Sequence, residues 1–291
     1  MTINSPDWFE ETLYRGFRAQ YRVDEILHEI RTEHQQLVLF RNETFGHILA
    51  LNGVIQTTER DEFIYHEMLT HTPILAHGAA RDVLIIGGGD GGMMEEALKH
   101  KSLRRVTLVE IDAGVIEFSK RHLKSICGDA FEDPRVEIVI GDGMKYAAKT
   151  DQRFDVVIVD GTDPIGPGEV LFTEKFYAAC KRCLSPGGIL VTQNGVPFMQ
   201  ADELRGTVQA LRSIFVDASC YTATVPTYVG GCMAFGWASD DTSLRATPAN
   251  VLRKRYAAAA LDTDYYTPEL HLGAFALPRY IERIIAGSQA I

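Results

Sequence analysis

From residue 83 onward, short runs of β-branched apolar residues alternate with stretches of helical periodicity. This repetition predicts a doubly wound parallel sheet, because each helix must cross the sheet before the next parallel strand can begin. Two later apolar runs, 222–225 and 233–237, predict an antiparallel pair at the edge of that sheet. In chain order the series is a strand at 83–86 with a helix from about Met93, a strand at 106–109 with a helix from Ala113, a strand at 136–140 with a helix from Met144, strands at 156–159 and 189–191, and then the run 208–215.

The first 60 residues have a different pattern. Strand-like runs lie on both sides of Asn52-Gly53, a strong hairpin-turn signal. They predict a small N-terminal antiparallel β domain over residues 1–60, joined by a helix to a Rossmann-like domain over residues 61–291. A small sheet with open edges and one apolar face favours burial against a second copy of the chain. The runs are 21–30, 36–40, 45–51 and 54–57, and the helix is 61–75.

Composition excludes some classes of function. A formal net charge of −10 argues against a nucleic-acid partner, which needs a basic face, and it attracts polycations. We expect no membrane span and no secretory signal, because no apolar run approaches ~20 residues and the N-terminus lacks a signal pattern. Five cysteines without framework spacing favour a reducing compartment, so the sequence predicts a cytoplasmic protein. Cys180 and Cys183 fall in a helical pattern and are expected to pack in the core rather than to bind metal.

The stretch 155–169 concentrates polar residues at the end of one predicted strand. The apolar run 156–159 is followed by Asp160 and, three positions later, by Asp163. Proline and glycine then alternate as far as Gly168, which suits a shaped loop better than a helix. We expect the chemistry at this loop.

Other strand ends also carry acids. A glycine-rich turn, 87–92, contains Asp90, and Glu110 closes the next strand about 20 residues on, where such folds place a carboxylate on ribose hydroxyls. The alternative for Glu110 is a simple exposed acid. Asp142-Gly143 closes the third strand, near the base of a bound nucleoside, although an Asp-Gly pair equally suits a plain turn. Together these positions favour a nucleoside site.

Strand order is expected to bring the acids together. If the order reverses after the third strand, the strand leading to Asp90 lies about 4.8 Å from the strand ending in Asp160. Their carboxylates, with Asp163, then repel one another unless cations occupy the crevice. The D-x-x-D pattern matches no standard calcium loop, so an organic diamine is favoured over a metal ion. A carboxylate at Asp90 also disfavours a donor that keeps its own carboxylate.

Four motifs stand out when the chain is taken whole. They are Gly87-Gly88-Gly89-Asp90-Gly91, Val109-Glu110-Ile111-Asp112, Asp160-Gly161-Thr162-Asp163-Pro164-Ile165-Gly166-Pro167 and Gln56-Thr57-Thr58-Glu59-Arg60-Asp61-Glu62. Together they resemble bacterial spermidine synthase, the putrescine aminopropyltransferase family, from roughly Trp8 to Pro278. The resemblance implies a β-strand N-terminal domain, a Rossmann-like domain of the class I methyltransferase type, and assembly as a homodimer or homotetramer.

The resemblance also implies roles for single residues, with Asp160 as the proton acceptor. The thioadenosine part of the cosubstrate, decarboxylated S-adenosylmethionine, is implied to be bound by Gln35, Asp90, Glu110, Asp142, Gly143 and Pro167. The amine is implied to lie among Tyr65, His66, Asp90, Asp160, Asp163, Gln193 and Tyr228.

Some of these residues have simpler explanations. Tyr228 precedes a glycine pair and can fill a turn, and His66 alone can be an ordinary helical histidine. Gln35 rests wholly on the resemblance. The departures from the family's pattern, which leave the preferred amine length open, are Glu95, Gly161 and Val229.

The expected reaction transfers an aminopropyl group. The sulfonium activates the attached propyl carbon, a diamine nitrogen attacks that carbon in line, and methylthioadenosine leaves, without a metal or redox cofactor. An alkylammonium has a pKa of about 10, so it must lose a proton before it can attack. We expect Asp163 with Tyr228 to hold the remote ammonium, while the near nitrogen, beside the sulfonium, passes its proton to Asp160.

Other functions stay open at this point. A putrescine N-methyltransferase using S-adenosylmethionine can share the same cavity, although Asp90 favours the decarboxylated donor. A polyamine-binding or nucleoside-binding protein without turnover is a second alternative. A nicotinamide dehydrogenase is weaker, because the glycines at 87–89 depart from the spaced G-x-G-x-x-G pattern.

Overall fold

The computed structural model of the chain describes residues 7–11, 13–161 and 166–287, with the backbone alone at Gly166 and Pro167. Asp163 therefore lies outside the described residues. None of the helices in these ranges combines the length and hydropathy that a bilayer span requires.

The N-terminal part is built from antiparallel strands. A two-stranded ribbon precedes a four-stranded sheet whose strands follow one another in chain order. Asn52 and Gly53 both have positive φ, 50° and 85°, so the predicted hairpin turn is confirmed. The predicted run 21–30 is divided between two strands. The strands are β1 (Trp8–Glu11), β2 (Ala19–Arg22), β3 (Glu25–Arg31), β4 (Gln36–Asn42), β5 (Gly46–Leu51) and β6 (Val54–Thr58).

Both faces of the four-stranded sheet are covered by the chain itself. On one face of the sheet, Val38 and Phe40 pack with Phe9 and Tyr21 of the ribbon. On the other face, Leu37 and Leu39 pack against the two helices that follow Glu110. The expectation of an open apolar face is therefore wrong, because alternate residues of β4 are apolar in both directions. The edge strand β3 remains exposed along most of its length.

The rest of the described chain alternates strands and helices, beginning with one long helix. The elements are α1 (Glu62–His77), β7 (Asp82–Gly87), α2 (Gly92–Lys99), β8 (Arg105–Glu110), α3 (Ala113–His122), α4 (Lys124–Cys127), β9 (Val136–Ile140), α5 (Gly143–Lys149), β10 (Phe154–Asp160), α6 (Glu174–Cys183), β11 (Leu184–Gln193), α7 (Ala201–Ile214), β12 (Asp217–Ala223), β13 (Met233–Ser239), α8 (Ala249–Ala259), α9 (Pro268–Ala274) and α10 (Arg279–Ile285).

Seven strands of the described chain form one sheet in the order β12-β13-β11-β10-β7-β8-β9. The run from β11 to β9 is parallel, whereas β12 and β13 add an antiparallel edge, so the predicted doubly wound sheet and its antiparallel pair are confirmed. The order reverses between β10 and β7, where Asp160 lies opposite Gly87. The run 208–215, which carried no assigned type, lies mostly in α7.

Successive side chains of β10 point to opposite faces of the sheet and therefore pack against different helices. Val156 and Ile158 pack in the core that contains α1, and Val157 and Val159 pack in the core that contains α6. Asp160 ends the strand with the parity of Val156 and Ile158, so its side chain is directed toward α1. Cys180 and Cys183 of α6 are buried free thiols, which agrees with the predicted packing role.

Candidate active site

A cleft of about 500 Å³ opens where the parallel strands end. The turn after β7 and the ends of β8, β10 and β11 form one wall, and residues of the N-terminal β domain form the other. The structure brings ten of the predicted site residues to this cleft: Gln35, Tyr65, His66, Asp90, Glu110, Asp142, Gly143, Asp160, Gln193 and Tyr228. Of the other two, Asp163 lies outside the described residues, and Pro167 is described by its backbone, in a 3₁₀ turn at Gly166–Phe172.

The Asp160 carboxylate meets the first turns of α1. The Tyr65 hydroxyl donates a hydrogen bond to its Oδ1 atom. Burial and the nearby charge of Asp90 raise the pKa of Asp160 to about 6, although Tyr65 and His66 act in the opposite direction. An acid with such a pKa is ionised at neutral pH and is close enough to it to exchange a proton efficiently.

The glycine-rich turn lets the backbone of β7 pass directly against Asp160. Gly87 has φ of +84°, and a Cβ atom there would lie 2.0 Å from the Asp160 carbonyl oxygen. Gly92, at the start of α2, is equally constrained, because a Cβ atom would lie 2.2 Å from the His66 ring. Both positions therefore need glycine, and the reason is close contact with two residues of the cleft.

His66 lies between two carboxylates. Its Nδ1 atom is 2.5 Å from Glu62 Oε2 and its Nε2 atom is 3.3 Å from Asp90 Oδ2, with the side chain 2% exposed. Burial disfavours the charged ring, but Asp90 and Glu62 outweigh it and raise the pKa of His66 well above its ordinary value. Burial opposes ionisation of Asp90 too, yet His66 and the backbone N–H groups of Gly92 and Gly91 lower its pKa.

The same residues bear on the question of a metal ion. His66, Asp90 and Asp160 offer donor atoms within 4.8 Å of one another. Carboxylates at ordinary pH only accept hydrogen bonds, so a histidine that faces one at each nitrogen carries two protons and has no lone pair for a metal. The arrangement suits an organic cation better than a metal ion.

Glu110 and Gln35 line the cleft where the N-terminal β domain meets the end of β8. Glu110 accepts a hydrogen bond from the Asp112 backbone N–H, and burial raises the pKa of this carboxyl to about 7. Asp112 caps α3 and also accepts hydrogen bonds from Thr32 and from Gln35 Nε2, at 2.6 and 3.1 Å. Asp112 thus ties the loop that carries Gln35 to the Rossmann-like sheet.

Asp142 serves the local fold and lines the cleft at the same time. Its side chain accepts a hydrogen bond from the Lys145 backbone N–H and caps α5. A Cβ atom at the next residue, Gly143, would lie 2.3 Å from Ile86 Cγ2. The Asp142-Gly143 pair therefore begins a helix rather than forming a plain turn, and the capping role does not conflict with a place in the cleft wall.

Tyr228 is held by long-range contacts. Its hydroxyl donates to the Gln56 carbonyl oxygen, and its ring packs edge-on against Tyr65 with centroids 5.8 Å apart. Buried Asp61 accepts hydrogen bonds from the backbone N–H and the hydroxyl of Thr227, at 2.7 and 2.6 Å. These contacts fix the loop that carries Tyr228 to the start of α1.

Gln193 offers an unused acceptor. It ends β11, and its Oε1 atom is buried without a hydrogen-bond partner among the described residues. A buried unpaired acceptor that lines a cleft favours a ligand with an N–H or O–H donor.

Sequence reasoning missed several residues that shape the site. Glu62 was visible as an acid four positions before His66, a spacing that brings helical side chains together. Asp61 and Asp112 stand in the quoted motifs, but nothing in the sequence indicated their structural roles, because their partners lie far away in the chain. The cleft lining also includes Glu11, Tyr14 and Gln200, which the sequence did not single out.

The fold is of the methyltransferase-type α/β class, and its cleft is lined by the acidic side chains of Asp90, Glu110 and Asp160. Residues 62–247 match the model of the spermine/spermidine synthase domain, and residues 7–59 match the spermidine synthase tetramerisation domain. The chain belongs to the spermine/spermidine synthase family, which confirms the predicted resemblance.

Named relatives and solved structures agree with this assignment. Polyamine aminopropyltransferase 1 of Pseudomonas aeruginosa is 57% identical over 277 residues, covering 95% of this chain and 97% of the relative. The polyamine aminopropyltransferase of Ruegeria sp. is also 57% identical, covering 95% of this chain and 98% of the relative. A spermidine synthase in complex with the transition-state analogue AdoDATO superposes with a TM-score of 0.90 at 34% identity, covering 96% of this chain and 94% of that one. Spermidine synthase from Thermotoga maritima gives 0.87 at 32% identity, with the same shares covered.

Proposed function

We propose that the cleft transfers the aminopropyl group of decarboxylated S-adenosylmethionine to putrescine, giving spermidine and methylthioadenosine, with Asp160 as the proton acceptor. The observation that carries the proposal is the convergence of Asp160 and Asp90, from neighbouring strand ends, on one buried place beside Tyr65. A cavity of this kind selects an aliphatic guest with positive charge.

The donor is proposed to lie along the strand ends. Glu110 takes the ribose hydroxyls, with Gln35, Asp142, Gly143 and Pro167 around the rest of the thioadenosine. The position of Glu110 at the end of β8, beside the glycine-rich turn, supports this assignment. Asp90 faces the aminopropyl end, where a donor that kept its carboxylate would meet a like charge.

The acceptor is proposed to lie between Asp160, Asp163 and the aromatic wall of Tyr65 and Tyr228, with Gln193 and His66 near it. The near nitrogen gives its proton to Asp160, its lone pair forms the new C–N bond, and the C–S bond pair leaves with methylthioadenosine. Holding the two cations in attack geometry replaces a bimolecular encounter by a first-order step, which lowers the barrier by several kcal/mol.

The proposal needs no resident metal or redox cofactor, because the sulfonium itself makes the propyl carbon electrophilic. We also propose a homo-oligomer, for which the match of residues 7–59 to a tetramerisation domain is the support. The division into residues 1–60 and 61–291 is likewise a proposal, supported by the two matched ranges. A cytoplasmic location is supported by five free thiols.

Product analysis of the purified chain tests the function. We expect release of methylthioadenosine and formation of spermidine when decarboxylated S-adenosylmethionine is supplied with putrescine, and no methylated amine with S-adenosylmethionine. A panel of diamines of increasing length and spermidine then gives the acceptor preference.

Two outcomes contradict the proposal. N-methylputrescine formed from S-adenosylmethionine identifies a methyltransferase instead. If the protein binds both ligands but releases no methylthioadenosine even at high protein concentration, it is a non-catalytic binding protein.

A further inference from the structure

The cleft contains a cation of its own. His66 is buried in α1, and each of its ring nitrogens faces a carboxylate oxygen, Glu62 Oε2 at 2.5 Å and Asp90 Oδ2 at 3.3 Å. Since an ionised carboxylate cannot donate, both nitrogens must carry protons for both contacts to be favourable. The ring is therefore an imidazolium in the unliganded protein.

Asp90 alone does not secure this charge. When a substrate ammonium approaches Asp90, it competes with the ring for the same carboxylate. Glu62 is reached through the opposite nitrogen, and it lies on the same helix at i−4, where its distance to His66 is set by helix geometry. The carboxylate of Glu62 thus keeps the ring charged after Asp90 has been engaged.

A fixed positive charge at this place affects the acceptor amine. The carboxylates of Asp90 and Asp160 bind the near ammonium but also stabilise its proton, which opposes attack. A neighbouring imidazolium acts in the opposite direction, because a like charge lowers the pKa of an ammonium group. The groups that face the His66 ring are Glu62 and Tyr65 of α1, Asp90 and the Gly92 backbone of the glycine-rich turn, and Asp160 of β10.

We propose that Glu62 is a positioning residue that holds His66 as a permanent imidazolium, and that this cation keeps the near acceptor nitrogen unprotonated for attack. The inference rests on the proposed aminopropyl transfer. Glu62 stands in one of the motifs that carry the family resemblance, but the resemblance implies no role for it and no charge on His66. The contact geometry on both sides of the ring carries the inference. The high pKa of His66 is consistent with this role.

The test compares Glu62→Gln with wild type across pH. In the variant, an amine that engages Asp90 leaves the His66 ring without a second carboxylate, so during turnover the ring should stay protonated at pH 6 and lose its charge at pH 8.5. We expect turnover of the variant to be close to wild type at pH 6 and about tenfold lower at pH 8.5, with the KM for putrescine changed less than kcat. A merely structural role predicts a loss that does not depend on pH, and that result overturns the proposal.

Three further variants sharpen the test. Glu62→Asp keeps a carboxylate and should restore much of the turnover at pH 8.5. In a His66→Gln background, Glu62→Gln should cause no further loss, because it acts through the ring; an additive loss overturns the proposal. Glu59→Gln is the matched control, because it removes the carboxylate of another histidine pair, His47–Glu59, which does not line the cleft.

A second readout does not depend on turnover. In protein labelled with ¹³C and ¹⁵N at histidine, the ring signals of His66, assigned by their loss in His66→Gln, should show a doubly protonated ring at pH 8 in wild type. In Glu62→Gln saturated with putrescine and methylthioadenosine, where the amine competes for Asp90, the ring should lose its second proton at lower pH than in wild type under the same conditions. A neutral His66 in wild type at pH 7 contradicts the inference even if the enzyme is active, whereas a charged ring in a protein that forms no spermidine contradicts the proposed function alone.

Discussion

Helix α1 carries two buried histidines whose pKa values are shifted in opposite directions. His66 faces the cleft with a carboxylate at each nitrogen, and its pKa is raised. His71, five positions later, shares a 2.9 Å contact with His100, and burial lowers the pKa of each of these two rings to about 3. Both side chains are almost completely excluded from solvent. Burial alone therefore does not decide the charge of a histidine here.

The partners account for the difference. His71 Nε2 lies 3.0 Å from Glu96 Oε2 but without hydrogen-bond geometry, and Lys99 pairs with the same carboxylate at 2.8 Å. Burial is the largest effect on His71; Glu67 favours the charged ring but Lys99 opposes it, so the pKa of His71 falls. At His66 two carboxylates outweigh the same desolvation cost. The pKa of a buried histidine is thus raised on the cleft side of α1 and lowered on the side that packs against α2.

The largest effect is expected on the cleft side, at Asp160. Asp160→Asn keeps the shape and the Tyr65 contact but removes the proposed proton acceptor, so kcat should fall by about 10³-fold. Thermal stability and the affinity for methylthioadenosine should change little, since the nucleoside end of the cleft is untouched. In wild type, kcat/KM should rise as pH rises through about 6, where the Asp160 carboxyl ionises. Turnover of the variant within a few-fold of wild type removes Asp160 from the mechanism.

A second prediction concerns steric crowding of His66 on the cleft side of α1. Gly92→Ala places a methyl group 2.2 Å from His66 Cε1, so the ring or the start of α2 must move. We expect kcat to fall by about tenfold or more and the free energy of unfolding to fall by about 1–3 kcal/mol, as for an overpacked core. Steady-state kinetics and urea unfolding measure the two effects.

Gly206→Ala is the control for that substitution. It lies inside α7 with open space around the new methyl group, so it should leave kcat unchanged and raise stability by about 0.5–1 kcal/mol. Wild-type kinetics for Gly92→Ala would show that the position of the His66 ring has no importance for turnover.

Much of the architecture that positions the cleft could be predicted from the sequence. The strand that ends at Asp160 is a run of β-branched residues, and the reversal of strand order beside Gly87 follows from the rules for parallel sheets. The convergence of Asp90 with Asp160 was therefore predictable from strand ends alone. Sequence-based prediction succeeds here because backbone topology places these residues.

Charge states and long-range partners could not be predicted in the same way. The i, i+4 spacing of Glu62 and His66 was visible, but their significance depends on burial and on Asp90, which arrives from another strand. Asp61 meets Thr227 across 166 positions, and a single sequence contains no signal for such a pair. The predicted open face of the N-terminal sheet was wrong for a related reason, since what covers a face depends on segments far away in the chain.

The most direct comparison of the two histidines is the dependence of stability on pH, because the two rings should give opposite slopes. The pKa of His71 and His100 is lowered in the folded chain, so between pH 6.5 and about 3 the unfolded chain binds protons that the folded chain does not. Their contribution to the free energy of unfolding is complete above pH 6.5 and falls by about 2 kcal/mol per histidine at pH 5. The pKa of His66 is raised, so its contribution is complete below pH 6.5 and is lost as the pH rises toward the folded value.

Urea unfolding at pH 5, 6.5 and 8 should show that His100→Gln reduces the loss of stability on the acid side, whereas His66→Gln changes the alkaline side. If both variants change stability on the same side of pH 6.5, the pKa shifts of the two histidine sites have the same sign, and the contrast between the two sides of α1 is wrong.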